Sequence, residues 1–136
     1  MLRVVIDTNT IISNLWGGRP KEVVELWRDG RIKLVVSEPI LKEYLRVLNR
    51  FNLTESELKE WTLLLSDPQR ADVVRPLFQL NVIKDDPADD KFLECALQGK
   101  ADFIVSGDTH LINLEEYKGI KVVNARRFLE IAKEEL

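Results

Sequence analysis

Val4, Val5 and Ile6 make an unbroken β-branched run, and Asp7 closes it. A short apolar run without polar alternation marks a strand covered on both faces. A chain built on such a strand has to supply helices to both sides of a sheet. After Asp7, Ile11 and Ile12 resume a helical apolar pattern, so the acid stands at a strand-to-helix junction. In an open parallel sheet, ligands and catalytic groups gather at the carboxyl ends of the strands. Asp is also a favoured N-cap, and Asp7 taken alone fits that role equally well.

The alternation repeats. A short helix over residues 8–14 is followed by a Gly17-Gly18 loop, and a helix over 19–29 has Pro20 in its first position and Gly30 at its stop. Residues 32–36 read as a second strand. Ser37 caps a helix running to residue 50, whose apolar face is Ile40, Leu41, Tyr44, Leu45 and Leu48. Thr54-Glu55-Ser56-Glu57 has the capping-box form and opens a helix to residue 65. Pro68 and Pro76 interrupt the next stretch, where Val73-Val74 and Val82-Ile83 each predict a short extended piece. Asp86-Pro87 opens a helix to residue 98. Residues 103–106 and 120–123 are further strands, a helical turn surrounds Leu111, and Asn124 caps a last helix. Strands alternating with helices predict one α/β domain over residues 1–136 with a mainly parallel sheet.

At 136 residues and 45% hydrophobic content the chain has the means for a real core. No apolar stretch has the length of a membrane helix, and no signal-peptide pattern precedes the first strand. With one cysteine, Cys95, no internal disulfide can form, and a cytoplasmic location is expected. One His and one Cys do not make a zinc site of the usual kind, so any metal here would be hard and carboxylate-bound. A net charge of −3 argues against nucleic-acid binding through bulk positive charge. An enzyme that holds phosphate through metal ions escapes that objection.

Acids recur at informative places. Val105-Ser106-Gly107-Asp108 repeats the strand-then-acid pattern of Asp7, and Asp108 would share its crevice if the two strands are neighbours. In Asp85-Asp86-Pro87-Ala88-Asp89-Asp90, Asp86 is the natural N-cap. At 100° per residue Asp89 shares the inward stripe of Phe92, Leu93 and Ala96, while Asp90 projects about a quarter-turn away. Glu43 lies at the rim of its helix's apolar face, where most glutamates are simply solvated. Cys95, Trp27 and Trp61 read as packing residues, and His110 as a surface residue near the site.

Four segments in this order resemble the signature of PIN domains: Val5-Ile6-Asp7-Thr8-Asn9, Ser37 through Glu43, Asp86 through Leu93, and Val105-Ser106-Gly107-Asp108. The nearest branch is that of the toxin components of prokaryotic toxin–antitoxin pairs. The resemblance implies a three-layer α/β/α sandwich and a metal-dependent endoribonuclease acting on single-stranded RNA with Mg²⁺ or Mn²⁺. It places metal-binding, catalytic acids at Asp7, Glu43, Asp89 and Asp108, and site-shaping polar roles at Thr8, Asn9 and Ser106. Asp86 and Asp90 remain as additional acids within reach of the site. A small antitoxin is the implied partner. A homodimer is expected both from such relatives and from the apolar residues Leu58, Trp61, Leu64 and Leu65. Two other readings compete. Asp7-Thr8-Asn9-Thr10 resembles the nucleophile loop of haloacid-dehalogenase-type phosphatases, although Asn9 stands where that family has a second Asp. A non-catalytic RNA-binding or scaffold domain on the same fold is the other, and the four-acid set weighs against it.

Overall fold

The computed structural model describes residues 1–84 and 87–136. The N-terminal run forms β1 (Arg3–Ile6), followed by α1 (Thr8–Ser13), a 3-10 turn over Asn14–Trp16 and α2 (Gly18–Arg28). Then come β2 (Lys33–Ser37), α3 (Glu38–Leu48), α4 (Glu55–Ser66) and β3 (Ala71–Val74). A 3-10 turn over Pro87–Asp89 leads into α5 (Asp90–Gln98). The chain continues through β4 (Phe103–Val105), α6 (Thr109–Ile112), β5 (Glu116–Tyr117), β6 (Ile120–Val123) and α7 (Ala125–Glu135).

The sheet runs in the order β3-β2-β1-β4-β6-β5, and every pairing is parallel except β5 with β6. From β1 the chain builds outward through β2 and β3, then returns to the opposite side of β1 to lay down β4. The crevice between the carboxyl ends of β1 and β4 is therefore the topological switch point. Helices α3 and α5 pack on one another and on the central strands; α2 and α7 pack together, with Phe128 of α7 edge-on to Phe103 of β4. The result is a three-layer α/β/α sandwich. Val4, Val5, Ile6, Ile104 and Val105 are all buried, as strands covered on both faces require.

Local chemistry accounts for most element ends. The Thr54–Glu57 capping box forms in full at α4. Asn124 caps α7 by accepting from the Arg127 backbone N–H at 2.8 Å. Ser37 stands at the N-cap of α3, but its side chain makes no capping bond and instead engages Cys95. Helix α2 starts one residue earlier than expected, which leaves Pro20 still within the first turn, where no backbone donor is needed.

Four expectations differ from the structure. Val82-Ile83 forms no strand: the Val82 and Ile83 N–H groups donate to the Asp90 carboxylate, both at 3.1 Å, rather than to a neighbouring strand. The β5–β6 hairpin was not foreseen. Its two-residue turn, Lys118-Gly119, has positive φ at both positions (49° and 87°), and the non-glycine at the first conceals the signal. Helix α4 offers less free apolar surface than expected. Trp61 and Leu65 are buried, Trp61 stacks near Trp27 at 5.7 Å, and of the leucines in the helix only Leu63 stays exposed. Finally, Asp90 rather than Asp89 is the deeply buried acid, at 3% exposure. The chain reaches Asp89 in a 3-10 turn, so the 100° spacing of α5 does not extend back to it.

Candidate active site

Asp7 is held from every side. Its backbone N–H donates to the Val105 carbonyl, extending the β1–β4 ladder by one residue beyond β1. Oδ1 accepts from the Thr10 N–H at 2.8 Å, so Asp7 is indeed the N-cap of α1. Oδ2 accepts from Ser106 Oγ at 2.5 Å and from the Gly107 N–H at 3.3 Å. The carboxylate is only 3% exposed, yet three donors compensate its burial. A carboxylate offers about four lone-pair positions, which leaves one unfilled. Below it, the Tyr44 hydroxyl of α3 donates to the Ile6 carbonyl and ties that helix to the end of β1. Burial pushes the Tyr44 hydroxyl pKa well above its ordinary value, so it stays a neutral donor.

Ser106 joins two acids. While its hydroxyl donates to Asp7, its oxygen accepts the Asp108 N–H at 2.9 Å. Asp108 caps α6 through the His110 N–H at 2.8 Å, with His110 Nδ1 3.6 Å from the same oxygen. Capping and participation in the crevice thus coexist in both Asp7 and Asp108. The Asp108 carboxyl is held below the usual aspartate range, first by a side-chain hydrogen bond with Asp89 and then by backbone donors from α6 and the His110 charge. Asp89, half-buried at the end of its 3-10 turn, therefore reaches Asp108 across the crevice. Two carboxylates this close repel each other when both are ionised, and a proton or a cation between them relieves that repulsion.

The other candidates take different places. Glu43 pairs with Lys91 at 2.6 Å, both side chains 21% exposed, and the Lys91 ammonium also donates to the Ala88 carbonyl at 2.7 Å. Asp90 is buried and accepts the two backbone bonds from Val82 and Ile83, a structural role. The Thr8 hydroxyl is buried without a hydrogen-bond partner among the described residues, and Asn9 is exposed beside Ser106 and Gly107 in one cleft. Asp86, expected as the cap of α5, lies outside the described residues. Asp7, Ser106, Asp108 and Asp89 are thus linked in one chain, while Glu43 stands apart in its ion pair. Among the described residues no three acidic, His or Cys side chains lie close enough to hold one ion together. Cys95 is buried in the core, its thiol pKa pushed up to about 12 by burial, and is chemically quiet.

Two contributors escaped sequence reasoning. Tyr44 shows there only as part of an apolar stripe, and its hydroxyl contact spans 38 positions. Lys91 reads from the sequence as a cation lining a phosphate path or on a solvated helix face, because nothing local couples it to Glu43.

No helix among the described residues is long and apolar enough to cross a membrane. The chain has no match among curated proteins. A family model described as the PIN domain matches residues 3–110, which span β1 through the start of α6 and all four acids. PIN domains are generally nucleases that use divalent metal ions. The switch-point crevice with its chain of aspartates and the extent of the match agree: this protein belongs to the PIN-domain family.

Proposed function

We propose that the protein is a metal-dependent endoribonuclease that hydrolyses phosphodiester bonds of single-stranded RNA. The observation that carries this reading is the meeting of the Asp89 and Asp108 carboxyl groups beside the fixed Asp7, at the switch point of the sheet. Two carboxyl groups held this close repel when ionised, and a dication between them relieves that repulsion. The donor set is all oxygen and anionic, as Mg²⁺ and Mn²⁺ prefer. Mg²⁺ is commonly held by one or two carboxylates, waters and substrate phosphate, so two converging acids suffice. Asp89 and Asp108 would hold the ion, Asp7 would reach it through a bound water, and Glu43 would join them only by exchanging its ion pair with Lys91. A bound ion would supply charge stabilisation at the phosphate and a water acidic enough to attack it. The protein's own residues position. Ser106 sets the spacing of Asp7 and Asp108, Tyr44 fixes the backbone under Asp7, and Asn9 is exposed to a strand entering the cleft.

The likeness of the four motifs to toxin nucleases supports a toxin role, with a small antitoxin as partner, in the cytoplasm. The homodimer expected for such a protein would use the exposed Trp16, Leu45 and Leu63 rather than the core side of α4. Incubating purified protein with single-stranded RNA and Mg²⁺ tests the main reading: internal cleavage is expected, and it should stop with Asp108→Asn. RNA left intact under Mg²⁺ and under Mn²⁺ would refute it. Co-purification with the product of an adjacent small gene, and a mass from light scattering, test the partner and the dimer.

A further inference from the structure

Two clefts meet at a pair of arginines. One, of about 380 Å³, opens beside the candidate active site, with Asn9, Ser106 and Gly107 in its wall. The other, of about 440 Å³, is walled by side chains of α2 and α7. Arg19, in the first turn of α2, and Arg126, in the first turn of α7, line both, so the two clefts adjoin at this pair. The second cleft adds the cations Arg31 and Lys133 against the acids Glu22 and Glu130. Arg19, Arg31 and Lys133 make no ion pair among the described residues. Arg126 meets only Glu130, at 3.5 Å on the exposed surface, a contact a phosphate can displace.

The chain carries a net charge of −3, and its crevice gathers carboxylates. A polyanion approaching that crevice is repelled unless local cations guide it. The two clefts are where such cations sit, and the nearer one opens beside Ser106 and Gly107 of the candidate site. Among the described residues no aromatic side chain lines either cleft, so there is no platform on which bases could stack. Guanidinium groups, by contrast, match phosphate oxygens in a planar fork. We infer that Arg19 and Arg126 clamp backbone phosphates of the RNA strand on one side of the cleaved bond. The strand then continues along the α2–α7 groove past Arg31 and Lys133. This deepens the ribonuclease reading and rests on it for the identity of the strand. It also implies that this arm of the contact is blind to base sequence.

The test uses the full chain with Asp7→Asn, so that bound RNA stays intact, and a short fluorescein-labelled single-stranded RNA read by anisotropy across a NaCl series. The double variant Arg19→Gln/Arg126→Gln should lose about tenfold or more in affinity, and the slope of log K against log salt should shrink by about 1.4, at about 0.7 per phosphate contact. Oligo-U and oligo-A should weaken equally. Lys59→Gln, on exposed α4 outside both clefts, should change neither quantity. The inference is overturned if the double variant binds and responds to salt as its parent does. It is overturned equally if Lys59→Gln causes the same loss, since that would reveal diffuse charge, or if the parent binds no RNA. Wild-type protein that cleaves RNA while the double variant binds normally would refute the clamp and leave the nuclease. Lost binding in the variant, with no cleavage by wild type, would keep the clamp and refute the nuclease.

Discussion

Asp89 and Asp90 are adjacent and identical in chemistry, and the structure gives them opposite work. Asp90 Oδ1 accepts two backbone N–H groups from the segment before the 3-10 turn, while its Oδ2 is buried without a partner among the described residues. Replacing it with Asn removes the charge from those bonds, and hydrogen bonds to charged groups are worth about 1.5–3 kcal/mol each. Asp90→Asn should therefore cost about 2 kcal/mol of stability by urea denaturation, yet leave Mn²⁺ affinity near wild type. Asp89→Asn should do the reverse: little change in stability and a clear loss of Mn²⁺ binding. Asp7→Asn belongs to neither class. The amide keeps the Thr10 bond but turns a donor toward Ser106 or Gly107, so the variant should be inactive and also less stable, by about 1–3 kcal/mol. Relief of carboxylate repulsion would have made that variant as stable as wild type. The three donors around Asp7 outweigh it.

Elements show where local chemistry decides and where it does not. The α4 capping box is complete, so Thr54→Ala should lower stability by about 1 kcal/mol in a thermal or urea melt. Its partner gives a pH signature. Glu57 is held below the ordinary glutamate range, first by the Thr54 backbone N–H and then by the Thr54 side chain. A depressed folded-state pKa stabilises above the unfolded value, and the effect is lost as pH falls through the folded value. The stability gap between wild type and Glu57→Gln should thus be largest near neutrality and close in acid. Gly99, after α5, is needed for space, not for a special backbone angle. A Cβ there would overlap Val35 Cγ1 and come within 3.3 Å of Val74 Cγ1, so Gly99→Ala should cost about 1–3 kcal/mol through overpacking against β2 and β3. The strands, capping box and parallel order were legible because period, cap and turn residues act within a few positions. Asp7 and Asp108 were legible for the same reason, each closing an apolar run. The roles of Asp89 and Asp90 were not, because a 3-10 turn before α5 shifts the wheel by an amount that no local residue announces. The Glu43–Lys91 pair was hidden because it depends on how α3 and α5 pack.

At the scale of the whole molecule, function follows from the order of the strands. Because β1 lies between β2 and β4, two helix-capping aspartates emerge into one crevice, and Ser106 links them with hydrogen bonds on both sides. β6 and α7 lie beyond the matched residues 3–110, yet they complete the same sheet and one wall of the arginine groove. The central claim is that Asp89 and Asp108 converge to hold a divalent ion. Calorimetric titration of Mn²⁺ into wild type and Asp89→Asn at several pH values examines it directly. Wild type should bind Mn²⁺ more weakly as pH falls into the carboxylate range, because protons compete for the same oxygens, and Asp89→Asn should bind far more weakly throughout. Equal Mn²⁺ affinity in the two proteins, or no binding by wild type near neutrality, would contradict the account.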